Sequence, residues 1–369
     1  MNLSCLELKH FRNYNNLKIN FSPGMNIFFG QNAQGKTNLL EAVSLLCLGR
    51  SFRTRKDSEL IQWGSEAAFI RGTFVDKELE DVIEIGIGEG QKKFKQNGHE
   101  VKGTALFSQV PVVSFAPDDL QLIKGGPQLR RDFLDLYLAQ LDPAYRVTYY
   151  KFYKILQQRN RFLKEVRLVN RELEVWNEQF IDAGLKVICS RIQLIEKIKP
   201  YIKAAHEQIS LNREALNLDY LSFGSHIIRE PDDKKLREFF QNELARVSRE
   251  EFERKLTLVG PQRDDLKITI GDQMDIRNYG SQGQQRTAAL ALKLGMIDIL
   301  KDVREMPPLL LLDDVMSEFD NDRKQALLSL LLSSSQTFLT STGRSDFPIE
   351  ASVNTVFYQV IKGAVIHES

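Results

Sequence analysis

Near the amino terminus, Gly30-Gln31-Asn32-Ala33-Gln34-Gly35-Lys36-Thr37 sets two glycines five residues apart, followed by a lysine and a hydroxyl residue. Such a loop curls so that its backbone N–H groups converge on an anion, and a helix starting at its end adds a positive dipole end. Lys36 then reaches the β- and γ-oxygens of a nucleotide, and the Thr37 hydroxyl becomes a ligand for Mg²⁺. The flanking residues fit. The apolar run Met25 to Phe29 reads as a strand and Asn38 to Leu48 as a helix, which gives the order strand, loop, helix. A Gly-rich turn carrying a surface lysine would need neither neighbour. This one segment commits the chain to an α/β architecture that binds ATP and Mg²⁺.

A phosphate loop needs a carboxylate on a nearby strand end to position the metal. Leu309 to Leu312, followed by Asp313 and Asp314, supplies it: a buried parallel strand, then two acids at the carboxyl edge of a sheet. Asp313 would hold Mg²⁺ through water, and Asp314 would face the attacking water as base or orienting group. Alone, an apolar run capped by acids fits a strand entering a solvated loop equally well. An Asn-Lys-x-Asp motif is missing, so guanine specificity is not expected.

The elements between these motifs suggest an interrupted fold. An opening β-hairpin turns at Asn13 to Asn16, and strands return from Ala68 to Val101, with a tight turn at Asn97-Gly98. Pro143 to Gly224 reads as helical, and strand patterning resumes with Leu266, Ile268 and Ile270. A helical stretch from Gln284 to Asp302 precedes the acidic strand, and the carboxyl end reads as strands around a Lys362-Gly363 turn. The expected organisation is a nucleotide-binding head in two α/β lobes, 1–118 and 256–369, with a mostly helical arm, 119–255, inserted between them.

Among the 369 residues, 42% are hydrophobic and 27% charged, which excludes collagenous and wholly disordered classes. The 50 basic and 49 acidic side chains leave a net charge of +1, so a polyanion partner would require a local basic patch. No apolar run is long enough to span a bilayer, and the opening segment lacks a secretory signal, so no membrane role is expected and the cytoplasm is the default. Cys5, Cys47 and Cys189 lie far apart without a CxxC pair, which points to reduced packing thiols rather than zinc or disulfides.

Ser281-Gln282-Gly283-Gln284 resembles the signature motif of ABC-type ATPases, a second anion cradle at a helix start. The same residues also fit a plain helix cap. Ser317-Glu318-Phe319-Asp320 is similar to the D-loop of that family. The resemblance implies that Ser281, Gly283 and Gln284 close on nucleotide held by a second protomer, and that Ser317 and Asp320 cross the interface of an ATP-dependent homodimer. Leu8-Lys9-His10-Phe11-Arg12-Asn13-Tyr14 looks like the hairpin that opens the SMC/Rad50-like branch, where the arginine, here Arg12, approaches the nucleotide. Two further runs, Pro117 to Arg131 and Gly260 to Leu266, resemble the RecF family of bacterial repair ATPases. That resemblance implies an ATP-driven dimer clamping duplex or gapped DNA, slow hydrolysis that releases it, and RecO and RecR as partners in loading RecA. An ATP-gated switch acting on a protein partner is the alternative. The chain departs from the wider branch in three ways: its arm is short and has no CxxC hook, Asp314 stands where a glutamate is usual, and Thr340-Ser341-Thr342 replaces a γ-phosphate-sensing histidine.

For DNA, the candidates are Arg146, Lys151, Lys154, Arg159 and Arg161, within a run where eight basic residues face the single acid Glu165. They either contact phosphates or form a solvated helix face. The interleaved Tyr145, Tyr149, Tyr150, Phe152 and Tyr153 are either core or a stacking surface. Arg50, Arg53, Arg55 and Lys56 form a second cluster that serves ATP, the dimer interface or DNA. Arg130 and Arg131 either couple nucleotide state to the arm or pair with Asp132 or Asp135.

Overall fold

The computed structural model describes residues 1–54, 56–77, 79–88, 90–103, 109–165, 171–210, 215–224, 226–229, 232–271, 273–318, 324, 335–344 and 354–368. Two compact units emerge, Met1–Pro117 with Leu300–Ser369, and Asp118–Ile299.

The first unit layers two sheets about one helix. Strands β1 (Asn2–Phe11), β2 (Tyr14–Asn20), β4 (Ala67–Asp76), β5 (Leu79–Gly88), β6 (Gln91–Gln96) and β7 (His99–Val101) form an antiparallel sheet ordered β2-β1-β4-β5-β6-β7. Their residues alternate, as one-sided burial requires: Ala68, Ile70, Phe74, Ile83, Ile85 and Ile87 point inward. Strands β3 (Met25–Phe29), β8 (Val112–Phe115), β13 (Leu309–Leu312), β14 (Thr337–Ser341), β15 (Thr355–Ile361) and β16 (Ala364–Glu368) form the second sheet, ordered β16-β15-β3-β14-β13-β8. Its central pairs are parallel and β16 alone returns antiparallel. Helix α1 (Lys36–Leu48) lies between the sheets and is buried nearly all round, which is why its sequence shows no polar stripe. The expected strand, loop, helix order and the parallel acidic strand are both present.

The second unit carries helices α2 (Leu120–Lys124), α3 (Pro127–Leu141), α4 (Pro143–Glu165), α5 (Arg171–Ser210) and α6 (Asp233–Arg254). Helices α4 and α5 run antiparallel. Phe152 meets Phe180 and Arg159 meets Asn177, so the separation along the chain shrinks toward the connection. The middle third is not wholly helical. Leu216–Ser222 is strand β9, which pairs with β10 (His226–Ile228) and with β11 (Asp265–Ile270), while β11 also pairs with β12 (Met274–Asp275). That β9–β11 ladder draws residues 256–299, expected in the carboxyl lobe of the head, into the same unit as the arm. Helices α7 (Ile276–Tyr279) and α8 (Gln282–Arg304) follow, and the division between units falls within α8.

Two buried ionic clusters organise this unit. Arg191 donates to both carboxylate oxygens of Asp135 at 2.8 Å and to the Pro261 carbonyl at 2.7 Å. Arg159, buried on α4, donates to Glu251 (2.6 Å), Thr257 (2.7 Å) and Asn177 (2.9 Å). Arg130 and Arg131 also turn inward, but not toward Asp132 or Asp135. Arg130 forms a two-pronged pair with Asp265 at 2.6 and 2.9 Å, and Arg131 donates to the Asp264 carbonyl.

Candidate functional site

Strand β3 delivers the phosphate loop to the carboxyl edge of the parallel sheet. There Gly30 has φ 153° and Gly35 has φ 118°, both on the positive side that side chains resist. Space is short as well: a Cβ on Gly30 would sit 2.4 Å from the Val360 carbonyl oxygen, and one on Gly35 would sit 2.9 Å from the Tyr14 hydroxyl oxygen. The loop is braced from three sides. Asn13 Nδ2 donates to the Gln34 carbonyl at 2.9 Å, the Tyr14 hydroxyl donates to the Gly35 carbonyl at 3.0 Å, and the β15–β16 turn donates through Lys362 N to Gln34 Oε1 at 2.7 Å. Sequence reasoning gave these bracing residues no role. The signals were the hairpin turn at Asn13 and Tyr14 and the turn at Lys362-Gly363, whose position against the loop depends on chain ends brought together by the sheet.

Lys36 is buried, and its ammonium donates to the carbonyls of Gly30 (2.5 Å) and Gln31 (2.9 Å). Burial pushes its pKa down, while the negative charges of Asp314 and then Asp313 oppose that shift. The lysine therefore lies within the electrostatic reach of both acids.

Strands β13 and β14 flank each other, and β14 neighbours β3, so three strand ends converge. Thr37 Oγ1 donates to Asp313 Oδ1 at 2.8 Å, and Thr340 Oγ1 donates to the same oxygen at 2.8 Å. Thr340 Oγ1 in turn accepts from the Asp314 N–H at 2.9 Å. Asp314 has φ 52°, a left-handed conformation unusual for a residue with a side chain. Of Thr340, Ser341 and Thr342, the first is thus fully buried and engaged with the acids, Ser341 is buried, and Thr342 is exposed. Thr37 and Asp313 form the hard oxygen pair that Mg²⁺ prefers, so the residues fit that ion.

Arg12 turns onto helix α1. Its Nε and Nη2 donate to the buried Glu41 carboxylate at 2.8 and 2.7 Å, and its Nη1 donates to the Glu59 carbonyl at 2.6 Å. Arg53 joins this group through Asn38 at 2.8 Å. Asn38 in turn donates to Asn13 Oδ1 at 2.8 Å, linking the cluster to the loop's brace. Arg55 lies outside the described residues.

In the second unit, Ser281 and Gln284 form a reciprocal cap at the start of α8. Gln284 N donates to Ser281 Oγ at 3.2 Å, and Ser281 N donates to Gln284 Oε1 at 2.8 Å. Gly283 lies within the first turn, and both Ser281 and Gln282 are exposed. Ser317 falls in a short 3₁₀ turn, Val315–Glu318, whereas Asp320 lies outside the described residues.

The basic candidates on α4 separate by face. Lys151, Lys154 and Arg161 are exposed, with Arg161 paired to Glu165 at 2.9 Å, and Arg146 is half-buried. Arg159 is a correction: its guanidinium is committed to Glu251, Thr257 and Asn177 inside the unit and offers nothing to DNA. Among the aromatics, Tyr145 and Phe152 are core, Tyr149 packs on Tyr153 at 4.7 Å, and Tyr150 alone is 76% exposed.

Residues 2–364 match the RecF/RecN/SMC N-terminal domain family model. The chain is 41% identical over 367 residues to a DNA replication and repair protein RecF of Halothermothrix orenii, covering 98% of this chain and 97% of the relative. It is 38% identical over 370 residues to the same-named protein of Lysinibacillus sphaericus, covering 99% of each. A solved structure of the recombination mediator protein RecF with ATP, described as part of the RecFOR pathway, superposes with TM-score 0.91 at 36% identity, covering 100% of this chain and 98% of that one. An Smc head bound to the C-terminal winged-helix domain of ScpA superposes at TM-score 0.58 and 17% identity over 100% of this chain and 98% of that one, a likeness of fold alone.

Proposed function

The chain belongs to the RecF family, and from that premise we propose that it is an ATP-dependent DNA-binding protein of replication and repair whose nucleotide-driven homodimer clamps DNA. The observation that carries the reading is the convergence of Thr37, Thr340 and Asp313 beside Lys36 at the edge of the parallel sheet.

Gly30 to Thr37 present backbone N–H groups to the ATP phosphates, and Lys36 exchanges its carbonyl partners for β- and γ-oxygens. Thr37 and Asp313 would hold Mg²⁺, Asp313 through water; the ion, when bound, neutralises charge on the phosphates. Asp314 orients the attacking water and accepts its proton. Its carboxylate is one methylene shorter than a glutamate's, so turnover is slow and nucleotide state serves as a switch. Ser281, Gly283 and Gln284 meet the nucleotide of the second protomer, and Ser317 and Asp320 cross the interface between the two. The exposed lysines Lys151 and Lys154 are the arm's candidates for DNA phosphates. RecO and RecR are the proposed partners in loading RecA at gaps, an ordering that hydrolysis resets. No described helix is long and apolar enough to cross a membrane.

Sedimentation with and without ATP tests the switch. Lys36→Ala is expected to lose nucleotide binding and dimerisation together, while Ser281→Ala keeps nucleotide binding by the monomer and weakens the dimer. Loss of monomer binding in Ser281→Ala contradicts the placement of that serine across the interface.

A further inference from the structure

The antiparallel sheet of the first unit has one face against α1, where a Cβ on Gly72 would meet Leu46. The opposite face is ordered in rows by the register. One row crosses all six strands as Lys18, Glu7, Arg71, Glu84, Lys95 and Glu100, with charge alternating at every step. Two of its acids are occupied locally: Lys18 lies 3.1 Å from Glu7 and Arg71 lies 3.9 Å from Glu84. Such a ladder suits a solvated face and explains itself.

The next row on the same face is different. It reads Asn16, Lys9, Phe69, Gly86 and Lys93, with no acid. Both lysines are exposed, and among the described residues neither pairs with a carboxylate. Phe69 stands between them, half-buried, and no atom lies within 4 Å of the place a Cβ on Gly86 would occupy. The position opposite Phe69 on β5 thus carries no side chain. Lys9 and Lys93 are three strand spacings apart, roughly 14 Å at the ordinary interstrand distance. The acids nearest along the strands are Glu7 and Glu84 of the adjacent row, each paired with a cation there, and exposed Glu66 just before β4.

We infer that this row is a platform for single-stranded nucleic acid, on which Phe69 stacks an unpaired base and Lys9 and Lys93 hold the phosphates to either side. An unpaired base is required because a half-buried ring set between two cations can only stack on a base whose face is free, and a duplex keeps its bases stacked inside. The inference rests on the DNA reading above and deepens it: the chain would carry a strand-selective surface on the first unit in addition to the arm lysines.

Binding of a fluorescent oligo-dT and of a duplex of equal length, both with ATP and over a salt series, tests this. Lys9→Gln with Lys93→Gln should lower the oligo-dT salt slope by about 1.4, the share of two single-strand phosphate contacts, and leave duplex binding and ATP hydrolysis unchanged. Phe69→Ser should weaken oligo-dT about tenfold. Thermal unfolding of the variants keeps folding defects apart from these losses. Equal oligo-dT affinity and slope in wild type and variants overturns the inference, as does wild type that binds duplex but no oligo-dT. If neither DNA binds, the proposed function fails as well.

Discussion

Thr340 and Asp313 are joined by a hydrogen bond of 2.8 Å from the threonine hydroxyl to the carboxylate oxygen that also accepts from Thr37. Because the same hydroxyl accepts the Asp314 N–H, one buried side chain sets Asp313, the proposed metal-positioning carboxylate, and the backbone of Asp314, the proposed base, together. Thr340→Val should therefore leave an unsatisfied N–H, lower stability by about 1–3 kcal/mol and reduce kcat more than it alters KM. Thr340→Ser should restore most of the rate. Steady-state hydrolysis and urea unfolding of both variants check this, and an unchanged kcat in Thr340→Val would show that the bond does not matter.

Gly30→Ala places a methyl group against the Val360 carbonyl, which a separation of 2.4 Å forbids without moving β15. The expected outcome is loss of ATP binding by calorimetry together with a lower Tm. Ala33, already at φ 65°, is exposed and should accept glycine with ATP affinity kept.

How much of this was legible beforehand differs by residue. Gly30, Lys36, Thr37 and Asp313 stand in fixed local patterns, and the structure brings them together because strands β3, β14 and β13 are neighbours. The braces Asn13, Tyr14 and Lys362 were not legible, since their roles depend on how the β1–β2 hairpin, and the β15–β16 turn from the far end of the chain, fold onto the loop. Arg159 was misread for a different reason. Charge density along α4 carries no angle, whereas Tyr145, Phe152, Leu156 and Leu163, all buried, place position 159 on the apolar stripe. The sheet that recruits residues 256–299 was hidden too, because β9 directly follows a long helical stretch and pairs with β11 across α6.

Arg159→Ala should consequently cost about 3–5 kcal/mol by stranding the Glu251 carboxylate, which is buried. Lys154→Ala, on the exposed face of the same helix, should change stability by less than about 0.5 kcal/mol. Denaturant unfolding separates them; equal effects would contradict the assigned faces.

Asp264 is buried where it accepts from the Tyr220 hydroxyl at 2.5 Å and from Ser222 at 2.7 Å. Burial, opposed first by the Arg191 charge, raises its pKa from 3.8 to about 6. The folded chain thus binds this proton more tightly than the unfolded chain does. Its contribution to stability is complete below pH about 4 and is lost as pH rises through about 6. Relative to Asp264→Asn, wild type should lose on the order of 1–3 kcal/mol of unfolding free energy between pH 4 and pH 7. A pH-independent difference would remove the carboxyl from that role.

If ATP makes this chain a DNA clamp, one titration reads it out. Fluorescent duplex with a single-stranded gap is titrated with protein in ATP, in ADP and without nucleotide, across a salt series. Affinity is expected to require ATP, to fall steeply with salt and to disappear in Lys36→Ala. ATP-driven dimerisation with no DNA affinity at any salt would contradict it.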